Sequence, residues 1–224
     1  MGGFTVLTLY GFAYSNYYNI VKHALLYKGV PFEEHLTYPN TPELLAVNPA
    51  GKVPGMITEQ GTCLAESSVL VDYLEEVYPE PPLYPADAEA RARVRQIMKV
   101  AELYLELPAR RLLPVAFFDA PASEQLNDEV RAALDRGVNA LNVLTNFTPY
   151  VAGEHLTMAD IYLRYALWVP DMVCPKCIAW RASEAVQGLA DWQALMADSD
   201  ISRKVDADTA DNQADFMAYV AARK

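Results

Sequence analysis

Four of the nine residues from 79 to 87 are proline, and the spacing of apolar residues changes character across them. Proline fixes φ and removes a backbone donor, so a stretch this dense neither continues a helix nor sits inside a sheet, and it stiffens a connector. Ahead of it, short β-prone runs alternate with helical periods; behind it, every apolar pattern has the helical period. The chain has 224 residues, 52% of them hydrophobic, which is enough for two domains with a core each. It is therefore expected to divide into a first domain over 1–78, a linker over 79–87 and a second domain over 88–224.

Residues 4–9 crowd Phe, Val and Leu with Thr and read as a strand buried on both faces. Ser15 precedes Ile20, Val21, Ala24 and Leu25 at helical spacing, and Lys28-Gly29 closes the run, which predicts a helix with a serine N-cap and a glycine stop. A second strand follows over 31–36, then a helical turn over 42–47 that ends at Asn48-Pro49-Ala50-Gly51. Residues 54–58 and 62–64, separated by Glu59-Gln60-Gly61, read as a hairpin. A helix over 66–78 stops at the prolines. The order βαβ-α-ββα is that of an α/β thioredoxin-like domain with a mixed sheet. Beyond the linker, 88–118, 123–146 and 157–169 have helical spacing, so an all-α helical-bundle domain is expected. Pro108 and Pro114 are expected to kink or split its first long helix.

Composition removes several classes of function. Asp and Glu number 29 against 18 Lys and Arg, a net charge of -11, and no basic stretch is dense enough to track phosphates, so nucleic acid is not an expected partner. No run of about 18 apolar residues predicts a membrane span. The start lacks the charged region and long apolar core of a signal peptide, which points to the cytoplasm. Met1-Gly2-Gly3 fails as a myristoylation signal because Val6 stands where Ser or Thr is needed. The cysteines, Cys63, Cys174 and Cys177, are odd in number and too few for a disulfide framework, which fits a reducing compartment. Cys174-Pro175-Lys176-Cys177 has the form of a redox or zinc half-motif, but no second pair accompanies it; a structural role is favoured and no metal is expected.

Four motifs carry a resemblance that covers nearly the whole chain. They are Leu9-Tyr10-Gly11 followed by Ser15 and Val21; Asn48-Pro49-Ala50-Gly51-Lys52-Val53-Pro54; Glu66-Ser67-Ser68-Val69 with Tyr73-Leu74; and Gly153-Glu154-His155-Leu156-Thr157-Met158-Ala159-Asp160. In this order and spacing the sequence resembles the cytosolic glutathione transferase family. The resemblance implies a protein that binds glutathione as co-substrate and conjugates its thiolate to small, largely apolar electrophiles. It also implies a two-fold homodimer.

The residues give that expectation a physical form. A proline at a strand start after a glycine-containing loop suits a cis peptide, so Val53-Pro54 is expected to be cis, turning the N–H and C=O of Val53 outward to pair with an extended peptide. Glu66 and Ser67 fall where a strand gives way to a helix, whose first amides favour a carboxylate. Glu66 would pair with the ligand's α-ammonium group while Ser67 holds its α-carboxylate. Lys52 either reaches the ligand or is a solvated surface lysine. A free thiol is only a few per cent thiolate at neutral pH; lowering its pKa by about 2 units takes roughly 2.7 kcal/mol. Ser15 is the leading donor, at the spacing where serine-type members carry theirs, with Tyr10 second and Tyr14, Tyr17, Tyr18 and Asn16 as further competitors. Asn16-Tyr17-Tyr18-Asn19-Ile20 departs from the usual cysteine- and arginine-containing stretch, which argues against the maleylacetoacetate isomerase class and against cysteine-based thioltransferase chemistry. Glutathione-dependent peroxide or disulfide reduction and a non-catalytic glutathione-binding module are the alternatives. In the second domain Thr157 and Asp160 read as a helix capping box. Met98, Leu103, Tyr104, Phe117 and Phe118 are helix core or the lining of an acceptor pocket, and 168–180 is expected as a loop over it.

Overall fold

A computed structural model describes residues 6–222 of the chain. Phe4 and Thr5 of the first expected strand, like the Met1-Gly2-Gly3 start, lie outside the described residues.

The first elements are β1 (Leu7–Gly11), α1 (Asn16–Lys28), β2 (Phe32–Leu36), α2 (Pro42–Val47), β3 (Gly55–Ile57), β4 (Cys63–Ala65) and α3 (Ser67–Val77). They form a four-stranded sheet in the order β2-β1-β3-β4. β1 and β2 are parallel, whereas β3 runs antiparallel to β1 and β4 antiparallel to β3. This is the expected βαβ-α-ββα order. Leu7 and Leu9 of β1 are fully buried, as are Ile20, Val21, Ala24 and Leu25 of α1 and Leu70, Val71 and Leu74 of α3. Their helical spacing confines the apolar side chains to one face, so burial against the sheet dictates how α1 and α3 sit. Gly11 has to be glycine because the aromatic ring of Tyr18 lies against it: a Cβ there would meet Tyr18 Cδ2 at 2.4 Å. The outer strand β2 is largely exposed and carries Glu33 and Glu34, charges that blunt a free edge.

The chain divides into two compact units, Met1–Pro82 with Asp198–Lys224, and Leu83–Ala197. The second domain expected over 88–224 is therefore corrected at its C-terminal end. The last helix, α12 (Asp200–Ala221), lies with the thioredoxin-like unit. Its residues Val205, Asp208, Thr209, Asn212, Phe216 and Tyr219 recur at helical spacing, but half of that stripe is polar, which hides it from a search for apolar periodicity.

The second unit is helical. α4 (Ala88–Val100) runs into a π-helical turn over Ala101–Glu106, then α5 (Leu107–Arg110) and α6 (Leu113–Phe117). Pro114 stands at the start of a helical piece, where the missing N–H costs no helical bond, and Pro108 follows closely on the π turn. Ahead of Pro108 the Leu107 N–H reaches back to the Glu102 carbonyl, the longer π register. α7 (Glu124–Leu144) packs on this turn so closely that a Cβ at Gly137 would lie 2.7 Å from Leu105 Cδ2. α8 (Met158–Ala166), α9 (Trp168–Ile178), α10 (Ala182–Ala185) and α11 (Leu189–Ala197) complete the unit. The loop expected over 168–180 is thus mostly helix, with Pro175 inside it. No described helix is long and apolar enough to cross a membrane.

Candidate functional site

One row of paired residues crosses the whole sheet: His35, Tyr10, Gly55 and Ala65 stand side by side on β2, β1, β3 and β4. β1 and β4 run toward the same end and β3 starts there. The residues that follow Tyr10, precede Gly55 and follow Ala65 therefore leave the sheet at one end. These are Gly11 with the turn to Ser15, Val53-Pro54, and Glu66-Ser67. Strands lie about 4.8 Å apart, so the three exits span about 10 Å, the reach of an extended tripeptide at roughly 3.3–3.6 Å per residue.

Each exit has its own local cause. Val53-Pro54 is cis, as expected. The loop before it is shaped by Asn48, which is buried: its Nδ2 donates to Lys52 O at 2.6 Å and its Oδ1 accepts from Ala50 N at 3.0 Å. Asn48 stood in the motif, but only the structure gives it this positioning part. Lys52 is exposed and Val53 half-buried. Glu66 has φ of +68°, a region that disfavours any residue with a Cβ. Such a conformation persists only where the surrounding structure imposes it. Ser67 follows as the first residue of α3 and is buried.

Ser15 is the N-cap of α1, and its Oγ accepts from the Tyr18 amide at 3.4 Å. The hydroxyl proton stays available for a second partner. Among the described helices of nine residues or more, α1 and α3 are the two with no acidic side chain in the first turn. Both helix starts lie at the same end of the sheet, and a positive helix end without an acidic first turn favours a thiolate at one and a carboxylate at the other.

The competing tyrosines are placed differently. Tyr10 alternates with Gly11, whose Cα abuts α1, so its side chain points to the opposite face, where its ring packs on His35 with centroids 4.4 Å apart. Tyr18 is buried and donates to Glu34 at 2.5 Å; desolvation, then the Glu34 carboxylate, push its phenol far above the ordinary range. Tyr14 and Tyr17 are half-buried beside Ser15, and burial raises the Tyr14 phenol as well. Asn16 is buried at the first position of α1.

The sequence matches the family model described as "Glutathione S-transferase, N-terminal domain" over residues 9–82 and the corresponding C-terminal domain over 86–200. A glutathione S-transferase of Pseudomonas putida is 43% identical over 78% of this chain and 79% of its own. The chain belongs to the glutathione S-transferase family.

A maleylpyruvate isomerase of Ralstonia is 32% identical over 70% of this chain and 79% of its own. Among solved structures, a zeta-class bacterial maleyl pyruvate isomerase superposes with a TM-score of 0.70 at 24% identity, covering 88% of this chain and 95% of that one. Poplar glutathione transferase F1 gives 0.73 at 21%, over 90% and 96%. These last two show that the glutathione S-transferase fold is shared.

The family's second domain contributes a rigid centre. Asp160 is fully buried, and its carboxylate accepts from Val151 N (2.7 Å), Thr157 N (2.8 Å), Thr157 Oγ1 (3.0 Å) and Trp192 Nε1 (2.9 Å). The capping box is present, and it extends further than the sequence suggested, to a loop residue and to α11. Cys174 is fully buried and burial pushes its thiol up to about 12, so it is no thiolate at neutral pH. Cys177 is shifted the same way by burial. Of the residues expected as core or acceptor lining, Met98 is buried while Leu103, Tyr104, Phe117 and Phe118 are exposed.

Proposed function

We propose that this chain is a glutathione transferase that conjugates glutathione to small, largely apolar electrophiles. The reading rests above all on the gathering of Ser15, Val53-Pro54 and Glu66-Ser67 at one end of the sheet. In it, the cysteinyl unit pairs with the Val53 main chain as an added strand. The γ-glutamyl α-carboxylate sits on Ser67 at the start of α3, and Glu66 faces its ammonium group. Lys52 reaches the glycyl end. Ser15 donates its hydroxyl proton to the sulfur. One hydrogen bond to a charged acceptor, worth about 1.5–3 kcal/mol, with the end of α1 adding up to about 1, covers the roughly 2.7 kcal/mol that a two-unit lowering of the thiol pKa demands. The thiol proton leaves to solvent. The sulfur then forms a bond to the electrophilic carbon, whose leaving group departs with the electron pair.

Tyr10 remains second as donor, behind Ser15, because its ring is packed on His35. The protein acts as a homodimer in the cytoplasm; its three free cysteines fit a reducing compartment. A second reading follows from the 32% identity to a maleylpyruvate isomerase: reversible addition of the same thiolate to a cis-enone diacid, allowing rotation before elimination.

Turnover of chlorodinitrobenzene, an organic peroxide and a cis-enone diacid, run beside calorimetric titration of glutathione, separates these readings. Conjugation is expected to exceed the other two rates, and Ser15→Ala to lower its kcat/KM by about a hundredfold. Binding with no turnover of any acceptor would make the chain a glutathione-binding module, and a silent Ser15→Ala with an impaired Tyr10→Phe would move the donor role to Tyr10.

A further inference from the structure

The turn that carries Ser15 is held by the C-terminal helix as well as by α1. Within the turn Ser15 N donates to Phe12 O at 3.0 Å, and the peptide groups of Ala13 and Tyr14 are bonded from outside it. They are met in large part by α12. Tyr14 N donates to Asn212 Oδ1 at 3.0 Å. Ala13 O accepts from Asn19 Nδ2 at 2.9 Å and lies 3.0 Å from Thr209 Oγ1. Asn19 Nδ2 also reaches Thr209 Oγ1 at 3.0 Å, which ties the two holders of the carbonyl together. The single Thr209 proton is shared between Ala13 O and Val205 O, 2.8 Å away on its own helix. Phe216 stacks on both Phe12 and Tyr14, at 5.0 and 5.1 Å between centroids.

The helix that supplies these groups is itself pinned beside α1. Lys22, buried to within 3% of its side chain, bridges Glu34 at 2.7 Å and Asp208 at 2.8 Å. At the far end Tyr219 stacks on Tyr38, and its hydroxyl donates to Pro39 O at 3.1 Å. α12 is thus held at Asp208, next to Thr209, and near its C-terminal end at Tyr219, and the stretch between them grips the two residues ahead of Ser15.

From this we infer that Asn212 and Thr209 are positioning residues for thiol activation: they fix the Ala13-Tyr14 backbone and through it aim the Ser15 hydroxyl at the sulfur of bound glutathione. The inference rests on the reading of Ser15 as donor. A hydrogen bond to an anion weakens steeply when its angle or distance slips, so loss of the holders would be felt as a higher thiol pKa, with the grip on the two ends of the tripeptide untouched.

The test measures the ultraviolet absorbance of glutathione thiolate against pH on the full chain, with kcat and KM for chlorodinitrobenzene conjugation and Tm. The variants are Asn212→Ala, Thr209→Val, Ser15→Ala and Tyr219→Phe. Thr209→Val keeps the side chain's shape and guards against a variant that fails to fold. Asn212→Ala and Thr209→Val are each expected to raise the bound thiol pKa by about one unit and lower kcat at neutral pH about threefold, with KM for glutathione within about twofold. Tyr219→Phe, which removes a bond on the same helix away from the turn, is expected to lower Tm and leave the pH profile in place. If Ser15→Ala raises the thiol pKa while Asn212→Ala and Thr209→Val change only Tm, α12 is a structural brace and the inference is overturned. If Ser15→Ala itself leaves the pKa unmoved, the donor reading falls, and the inference with it.

Discussion

At the scale of single residues, the two halves of the chain differ in what a polar group is for. Asp160 holds four donors in a fully buried place, and replacing it by alanine leaves the Val151 amide and the Trp192 indole N–H without an acceptor. Each such orphan costs about 1–3 kcal/mol, so Asp160→Ala is expected to lose at least about 2 kcal/mol, a fall in Tm of at least roughly 4–8 °C by calorimetry, with glutathione affinity little changed in the folded fraction. Asp160→Asn, which keeps one acceptor oxygen, is expected to lose less. Cysteine behaves as burial dictates. Cys63 is exposed on β4 while burial pushes the Cys174 thiol up to about 12, so iodoacetamide at pH 8 is expected to alkylate Cys63 in the native protein and to reach Cys174 only after denaturation. Early modification of Cys174 by mass spectrometry would contradict its placement.

At the scale of elements, legibility in the sequence followed how local the cause of each element is. Both ends of α1 are legible in the sequence, because Ser15 caps it and Gly29 takes up the left-handed conformation that stops it. α2 was read over the same six residues, fixed by Thr41 as cap and Pro42 at its first position. Val53-Pro54 was recognised as cis, yet Glu80-Pro81 and Thr148-Pro149 are cis too and gave no signal, since no motif surrounds them. α9 is not legible in the sequence, because a helix with Pro175 inside and apolar residues around much of its circumference has no clear stripe. The strained Glu66 backbone has no sequence signature at all, as it is imposed by what surrounds it. The placement of α12 rests on contacts far apart in sequence, among them Lys22 with Asp208. Burial opposes ionisation of Asp208, but hydrogen bonds and charge from Lys22 and Lys204 outweigh it and hold the carboxyl below its ordinary range. Glu34 faces the same ammonium group. A folded pKa below the unfolded value means that this contribution is complete above the unfolded carboxylate value of about 3.9 and is lost as pH falls through the lower folded value. Hydrogen exchange in α12 is therefore expected to quicken below about pH 4 in the parent protein, and to be quicker already at neutral pH, with a weaker acid dependence, in Asp208→Asn.

At the scale of the whole molecule, the proline-rich segment marks a real change of architecture, from a mixed sheet with helices to helices alone. Its two ends are tied down separately. Lys28 Nζ, buried and paired with Glu75 at 2.7 Å, donates to the Tyr78 and Pro81 carbonyls in the first unit, and Met158 N donates to Leu83 O in the second. The return of the C-terminal helix to the first unit means that the domain carrying the proposed site is built from both ends of the sequence. Removal of residues 198–224 is accordingly expected to weaken the first unit and its site, although those residues supply none of the groups proposed to touch glutathione.

One end of the sheet is proposed to grip an extended tripeptide through main chain at Val53 and through the start of α3 at Ser67. A crystal structure of the protein with glutathione tests it most directly. The account predicts the cysteinyl amide and carbonyl paired with Val53, the γ-glutamyl carboxylate on Ser67 and the sulfur beside Ser15; glutathione bound with those groups unengaged, or held at another place on the protein, would contradict it.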